Sequence, residues 1–242
     1  MENNSLIMKS KVLAIIPARG GSKRIPNKNK KKLGGKEMIR YAIDAALNSK
    51  LLTSIVISSD DEEILDISKT YSNIIPIVRP NDISGDKAPA ITYVQQAIEY
   101  LKDNFARSYD IVVIIQPSSP FTLGCDIDET ISLLLDNDAA DSSVSVMRLD
   151  HAIHPVKLKT LINNELLPYL EEEKGRMADY DLPELYVRNG SVYVSKIENI
   201  KNNRIIGDKC LGYVMPRERS LDINDPIDFE FAEFLIQKQN GK

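Results

Sequence analysis

Five apolar residues in a row, Val12-Leu13-Ala14-Ile15-Ile16, open the ordered pattern of this chain and stop at Pro17. An unbroken apolar run of this length predicts a strand covered on both faces, as in a parallel sheet. A Gly-, Lys- and Asn-rich stretch follows, and then Ile39, Ala42, Ile43, Ala46 and Leu47 recur at helical spacing. The alternation repeats. Ile55-Val56-Ile57 predicts a strand, and the acidic run Asp60 to Glu63 opens a helix carrying Ile64, Ile67 and Tyr71. Ile75 to Val78 predicts a strand, and Ile91, Val94, Ile98 and Leu101 a helix. Ile111 to Ile115 is a second wholly apolar strand, ahead of a helix marked by Ile127, Ile131, Leu134 and Leu135. Ser143 to Val146 predicts one more strand.

Strands that alternate with helices predict an α/β fold, Rossmann-like and three-layered, with a mainly parallel sheet. The pattern breaks after Met147. From Arg148 to Tyr186 the chain is polar and irregular, with a hairpin expected within Leu158 to Leu167, and residues near 148–190 read as an insertion or flap. Alternation resumes at Ser191 to Val194, and Phe229, Ala232 and Ile236 mark a closing helix. Residues 1–10 are expected to form a disordered tail and 11–242 a single domain.

Composition narrows the function. The chain has 242 residues, 43% hydrophobic and 27% charged, with a net charge of -4, which is ordinary for a soluble domain. Mild acidity counts against a nucleic-acid partner. No apolar run is long enough to span a membrane. Cys125 and Cys210 form no CxxC unit, so reduced thiols in a cytoplasmic protein are expected, Cys125 as a packing residue beside a helix start. His151 and His154 lack the partners of a zinc site.

Candidate chemistry starts in the loop after the first strand, because ligands of open α/β sheets bind beyond the carboxyl ends of the strands. The loop runs from Ala18 to Asn29. Gly20 and Gly21 let backbone N–H groups turn toward an anion, and Arg19, Lys23, Arg24 and Lys28 add cations. That combination suits a polyphosphate. Neither a Walker loop nor GxGxxG is present. Lys30, Lys31 and Lys32 read as a solvated basic surface.

AIIPARGGSKRIPNKN at 14–29, ISSDDEEI at 57–64, RPNDISGDKA at 79–88, QPSSPF at 116–121, HPVK at 154–157, RNGSVYV at 188–194 and ERSLDIND at 218–225 occur in order along the chain. In this ordered set the chain resembles the acylneuraminate cytidylyltransferases, the CMP-sialic acid synthetase family. The resemblance implies transfer of CMP from CTP to the anomeric hydroxyl of a nonulosonic acid, with magnesium as cofactor and pyrophosphate released. It implies Arg19, Lys28 and Asp222 as catalytic residues, and Ala18, Arg19, Gly20, Asn29, Arg79, Ala88 and Ala90 around the nucleotide. Gln116, Lys157, Arg176 and Asn189 are implied at the sugar, and Asp222 with Asn224 at the metal. A homodimer built through the 148–190 segment is also implied.

The chain departs from the family where a second metal carboxylate is usual, since Asn224 stands there. Asn224 ligates directly or through water, or Asp225 or Asp228 substitutes for it, or Asn224 caps the closing helix. Asp179 stands where the family has an arginine, and Arg188 precedes Asn189-Gly190 where the family often has proline. These departures suit a legionaminic or pseudaminic acid as well as sialic acid. A KDO-type activity, opposed by Gln116-Pro117-Ser118-Ser119-Pro120, and a nucleotide-binding regulatory protein without catalysis are the alternatives.

Overall fold

The first apolar run forms β1 (Val12–Pro17), at the centre of the fold. The computed structural model describes residues 10–170 and 182–241. After β1 come a small hairpin of β2 (Lys32–Leu33) and β3 (Lys36–Glu37), then α1 (Met38–Leu47), β4 (Ser54–Ser59), α2 (Glu62–Lys69), β5 (Ile74–Val78), α3 (Ala90–Phe105), β6 (Ile111–Ile115), α4 (Gly124–Leu135) and β7 (Ser142–Arg148). The chain continues through a hairpin of β8 (Lys159–Ile162) and β9 (Glu165–Pro168), then β10 (Tyr186–Lys196), α5 (Ile197–Lys201), β11 (Cys210–Val214) and α6 (Pro226–Asn240).

Seven strands make the main sheet in the order β11-β7-β10-β6-β1-β4-β5. Every neighbouring pair is parallel except those of β10, which runs antiparallel to both β6 and β7. This is the mainly parallel α/β sheet expected from the sequence. The alternation within β1 shows why its run had to be apolar. Val12, Ala14 and Ile16 pack with α1, α2 and α4 on one face, and Leu13 and Ile15 pack with α3 and α5 on the other. Burying each of the larger of these side chains contributes about 1.5–3 kcal/mol, so this one strand helps hold both layers of helices, with different residues facing each.

A third, smaller core lies outside the sheet. Ile25 from the first loop, Leu33, Met38, Phe121 and Ile223 gather around Phe229, Ala232 and Ile236 of α6. The closing helix therefore pins the first loop and the 221–224 segment against one another.

Several expectations change. Cys125 is exposed, and the close packing belongs to its neighbour Gly124, where a Cβ would sit 2.6 Å from the backbone of Asn48. The cap of α6 is Asp225, not Asn224. Asp225 accepts from the Asp228 N–H, and Asp228 accepts from the Asp225 and Asn224 N–H groups. The expected flap ends earlier than residue 190, because Tyr186, Val187 and Arg188 already pair with β7 in the main sheet. β10 is long because it continues past an irregularity between Arg188 and Tyr193, which interrupts the alternation that would have marked it in sequence. β11 and α5 carry too few apolar positions to be read from sequence.

Candidate functional site

β1, β4, β5 and β6 run in one direction, so their carboxyl ends at Pro17, Ser59, Val78 and Ile115 share one edge of the sheet. The segments leaving those ends enclose a cavity of about 540 Å³. Arg19, Ser22, Lys23, Arg24, Lys28 and Asn29 line it from the first loop, and Arg79, Ile83, Ser84, Gly85 and Asp86 from the segment after β5. Ala88 and the start of α3 contribute Ala90 and Tyr93, Gln116 to Ser118 follow β6, and Asn224 closes the ring.

The first loop is tied down at both ends. Ala18 N donates to Ser58 O at 3.0 Å, and Ser59 Oγ donates to Ala18 O at 2.5 Å. Buried Asn29 donates from Nδ2 to Arg19 O at 3.0 Å, so its amide shapes the loop from within. Asn27 adopts the left-handed region at φ 55°, a conformation asparagine tolerates. Gly20 is closely approached: a Cβ there would lie 2.8 Å from Asp61 Oδ2, so a larger residue would have to displace the Asp61 side chain. The expected open row of glycine N–H groups is modified here: Gly20 N already donates to Asp60 Oδ1 at 2.9 Å. Asp60 begins the segment leaving β4, which ends beside the loop.

The cations separate into two groups. Lys30, expected to be solvated, reaches Asp61 at 2.9 Å and Glu63 at 3.2 Å, and the hydrogen bond to Asp61 raises its pKa. Lys31 lies over the Phe229 ring at 4.1 Å. Lys30 thus braces the start of α2, and Lys31 braces α6. Arg19 and Lys23, by contrast, share one carboxylate inside the cavity, that of Asp86. Lys23 and then Arg19, as hydrogen-bonding partners, hold the Asp86 carboxyl down to about 2.

Arg79 is buried. Its Nε donates to Ser58 Oγ at 3.0 Å, its NH2 donates to Ser58 O at 2.8 Å, and its guanidinium lies 4.5 Å from the Tyr93 ring centre. Desolvation lowers its pKa, and no carboxylate is in contact with it among the described hydrogen bonds. A buried cation satisfied by neutral groups keeps its charge for a ligand. Tyr93 carried no marker in the sequence beyond standing three positions after Ala90, on the same side of α3.

Lys28 and Asp222 come together although 194 positions separate them in sequence. Lys28 Nζ donates to Ile223 O at 2.8 Å. Burial lowers its pKa, the Asp222 charge opposes that shift, and Arg24 and Arg19 add to it. Asp222 accepts from Asn224 Nδ2 on its Oδ2 at 2.8 Å, while its Oδ1 is buried without a hydrogen-bond partner. Gly190, at φ 76°, makes room for it: a Cβ there would approach Asp222 Oδ2 to 3.2 Å. Asp222 is absent from the cavity lining and meets it through Asn224.

Asn189, implied at the sugar, spends its amide inside the protein. Its Oδ1 accepts from Ser145 Oγ at 2.7 Å, and its Nδ2 donates to Ser220 Oγ at 3.0 Å. The structure gives it a bracing role, tying β10 to the segment that bears Asp222. Gln116 lines the cavity, and its backbone N–H donates to Ser191 O at 3.0 Å. Lys157 ends the short turn Pro155–Lys157 and does not line the cavity. Arg176 lies outside the described residues. His154 accepts from the Val156 N–H on Nδ1, a local turn contact.

Among the described residues no three His, Cys, Asp or Glu side chains gather to hold a metal. Asp225 and Asp228, considered as substitute ligands, each cap α6 through one oxygen, Oδ1 and Oδ2 respectively. One carboxylate with a free buried oxygen, beside a cationic cavity, is nevertheless a donor set that magnesium accepts, because it takes one or two carboxylates plus substrate phosphates and waters.

Solved structures sharing this architecture include a CMP:2-keto-3-deoxy-manno-octonic acid synthetase complexed with CTP, at TM-score 0.68 and 16% identity, covering 95% of this chain and 100% of that one. A 4-diphosphocytidyl-2C-methyl-D-erythritol synthase from Anaerococcus prevotii also gives TM-score 0.68, at 15% identity over 97% and 99% of the two chains. At such identities these show the fold. In sequence, the chain is 33% identical to the pseudaminic acid cytidylyltransferase of Campylobacter jejuni, over 94% of this chain and 97% of that protein. It is 30% identical to the CMP-N,N'-diacetyllegionaminic acid synthase of Legionella pneumophila, over 94% and 97%. It is also 30% identical to the N-acylneuraminate cytidylyltransferase of Escherichia coli over 96% of this chain, which spans 54% of that longer protein. The cytidylyltransferase family pattern covers residues 13–214, from the first buried strand to the end of β11, and with these relatives it shows that the chain belongs to the cytidylyltransferase family.

Proposed function

We propose that the chain transfers CMP from CTP to the anomeric hydroxyl of a nonulosonic acid of the sialic, pseudaminic or legionaminic type. The relatives that support this carry those three names. The observation that carries it is the convergence of Lys28, Arg24 and Asn224, with Asp222 hydrogen-bonded behind Asn224, at one end of a cavity also lined by Arg19, Arg79 and Gln116.

The triphosphate lies along the first loop, where Arg19, Lys23, Arg24 and Lys28 offset its charge. Asn29 keeps that loop in shape through Arg19 O. Ala88, Ala90 and Arg79 border the base and ribose, and backbone groups of the Ala18 to Gly20 turn flank the phosphates. Gln116 and the segment after β6 orient the sugar acid, with Lys157 and Arg176 as candidate cations for its carboxylate. The anomeric oxygen bonds to the α-phosphorus, the bond from that phosphorus to the bridging oxygen breaks, its electron pair leaves on pyrophosphate, and the hydroxyl proton passes to water. Such transfers depend on alignment and charge neutralisation more than on covalent help from side chains. Asp222, together with the phosphates, would hold magnesium, which would supply Lewis-acid neutralisation of the developing charge.

We further propose a homodimer built through the 148–190 segment. In its support, the β8–β9 hairpin exposes Leu161, Ile162, Leu166 and Tyr169, and an isolated two-stranded hairpin is marginal in water. No helix among the described residues is long and apolar enough to cross a membrane.

Pyrophosphate release from CTP and magnesium, with a panel of nonulosonic acids and KDO, tests the activity. Release with at least one nonulosonic acid, lost in the Lys28→Met/Asp222→Asn double variant, is the expected result. Release with KDO alone, or an unchanged rate in the double variant, overturns the proposal.

A further inference from the structure

The position where the family resemblance calls for a second metal ligand holds an amide, and its surroundings define what that amide does. Asn224 Nδ2 donates to Asp222 Oδ2 at 2.8 Å, and Asn224 Oδ1 accepts from Arg24 NH2 at 3.3 Å. Its backbone N–H donates to Asp228 Oδ2 at 2.7 Å, which anchors the residue to the first turn of α6. The amide orientation is set by charge. Turning it over would place its oxygen against a carboxylate and its NH2 against a guanidinium, both repulsive. Asp222 Oδ1, on the same carboxylate, is the atom left buried and unpartnered.

We infer that Asn224 is a positioning residue and not a metal ligand: it bridges Arg24 to Asp222 and leaves Asp222 Oδ1 as the acidic donor of this segment for a divalent cation. The inference rests on the proposed CTP-dependent reading. For Asn224 Oδ1 to reach a cation it must release Arg24, and Nδ2 must release Asp222. A carboxylate at this position would instead form an ion pair with Arg24 and repel Asp222. The neutral bridge therefore keeps the Arg24 charge available to a triphosphate. With one carboxylate, the free chain binds a divalent cation weakly, and the nucleotide must bring the remaining oxygens. Cation and CTP then load together.

The test uses Mn²⁺, which reports its free concentration by electron paramagnetic resonance, together with metal-free CTP binding by calorimetry. The wild-type chain alone is expected to bind Mn²⁺ weakly, and CTP to tighten it. Asn224→Asp is expected to tighten Mn²⁺ binding to the free chain by roughly ten-fold, because a cation relieves the repulsion between the two carboxylates that the variant creates. The same variant is expected to weaken metal-free CTP binding by a few-fold, because Arg24 becomes ion-paired. Asn224→Ala is expected to keep most of the Mn²⁺ affinity of the CTP complex, whereas Asp222→Asn abolishes it. The proposal is overturned if Asn224→Ala loses Mn²⁺ as fully as Asp222→Asn, which would make the amide a ligand. It is equally overturned if Asn224→Asp changes neither affinity. Absence of CTP binding by the wild-type chain refutes the functional reading separately. The free-chain Mn²⁺ comparison still decides the role of Asn224 in that case.

Discussion

Replacing Arg219 with methionine is expected to cost about 3 kcal/mol of folding stability, and the reasoning runs through one buried carboxylate. Asp126, in the first turn of α4, is fully buried, while Arg219 is about a quarter exposed. Arg219 Nε donates to Asp126 Oδ2 at 3.0 Å and its NH2 to Oδ1 at 2.7 Å, a two-pronged pair. The Asp126 hydrogen bonds raise the guanidinium pKa. Leu123 N and Tyr213 Oη also donate to this carboxylate, at 2.9 and 3.3 Å. Removing one partner of a buried pair typically costs 3–5 kcal/mol, because a charge is left without compensation. The two surviving donors and the helix N-terminus reduce that penalty here, which argues for the lower end of the range. For a domain of this size the loss corresponds to a melting temperature lowered by roughly 6–12 °C. Calorimetry and urea unfolding measure it, and the Asp126→Asn/Arg219→Met double variant is expected to recover part of the loss, since no buried charge is then stranded. Because Arg219 stands three residues before Asp222, CTP affinity should fall alongside stability. A loss below about 1 kcal/mol, as for an exposed pair, would refute the reasoning.

Asp86→Asn is expected to tighten CTP binding a few-fold, because Asp86 occupies Arg19 and Lys23 inside the cavity; weaker binding in a titration would show that Asp86 serves the nucleotide instead. Its carboxyl is held down to about 2, so the two ion pairs persist above the unfolded carboxylate range and are lost only as pH falls through that value. Lys28 is predicted to lose its charge at a lower pH than an exposed lysine, because burial lowers its pKa from 10.5. In the window between the lowered value and 10.5 the unfolded chain binds more protons, so rising pH gains stability from this group while CTP affinity falls. Lys28→Arg should remove that alkaline decline in affinity, and an unchanged decline would assign it to another group. Gly124→Ala is expected to destabilise by about 1–3 kcal/mol, since its Cβ would meet the Asn48 backbone at 2.6 Å; denaturant unfolding within a few tenths of wild type would contradict this packing.

Local physics carried much of this protein into its sequence. The apolar runs at Val12 to Ile16 and Ile111 to Ile115 can only be strands covered on both faces, and the structure buries them between two helical layers. Loop chemistry was equally local: the glycines and cations that follow the first strand stand within a dozen residues of its end. Tertiary structure decided which charges were free. Lys30 belongs to Asp61 and Glu63, and Arg19 and Lys23 to Asp86, pairings that no spacing encodes because the partners come from different strands' ends. The meeting of Lys28 with Asp222 depends on α6, whose buried Phe229, Ala232 and Ile236 hold Ile25 and Ile223 in one small core. The bridge from Arg24 through Asn224 to Asp222 was invisible for the same reason. A sequence records each side chain's chemistry, but whether an amide ligates, caps or positions depends on which charges the folded chain brings to its two ends.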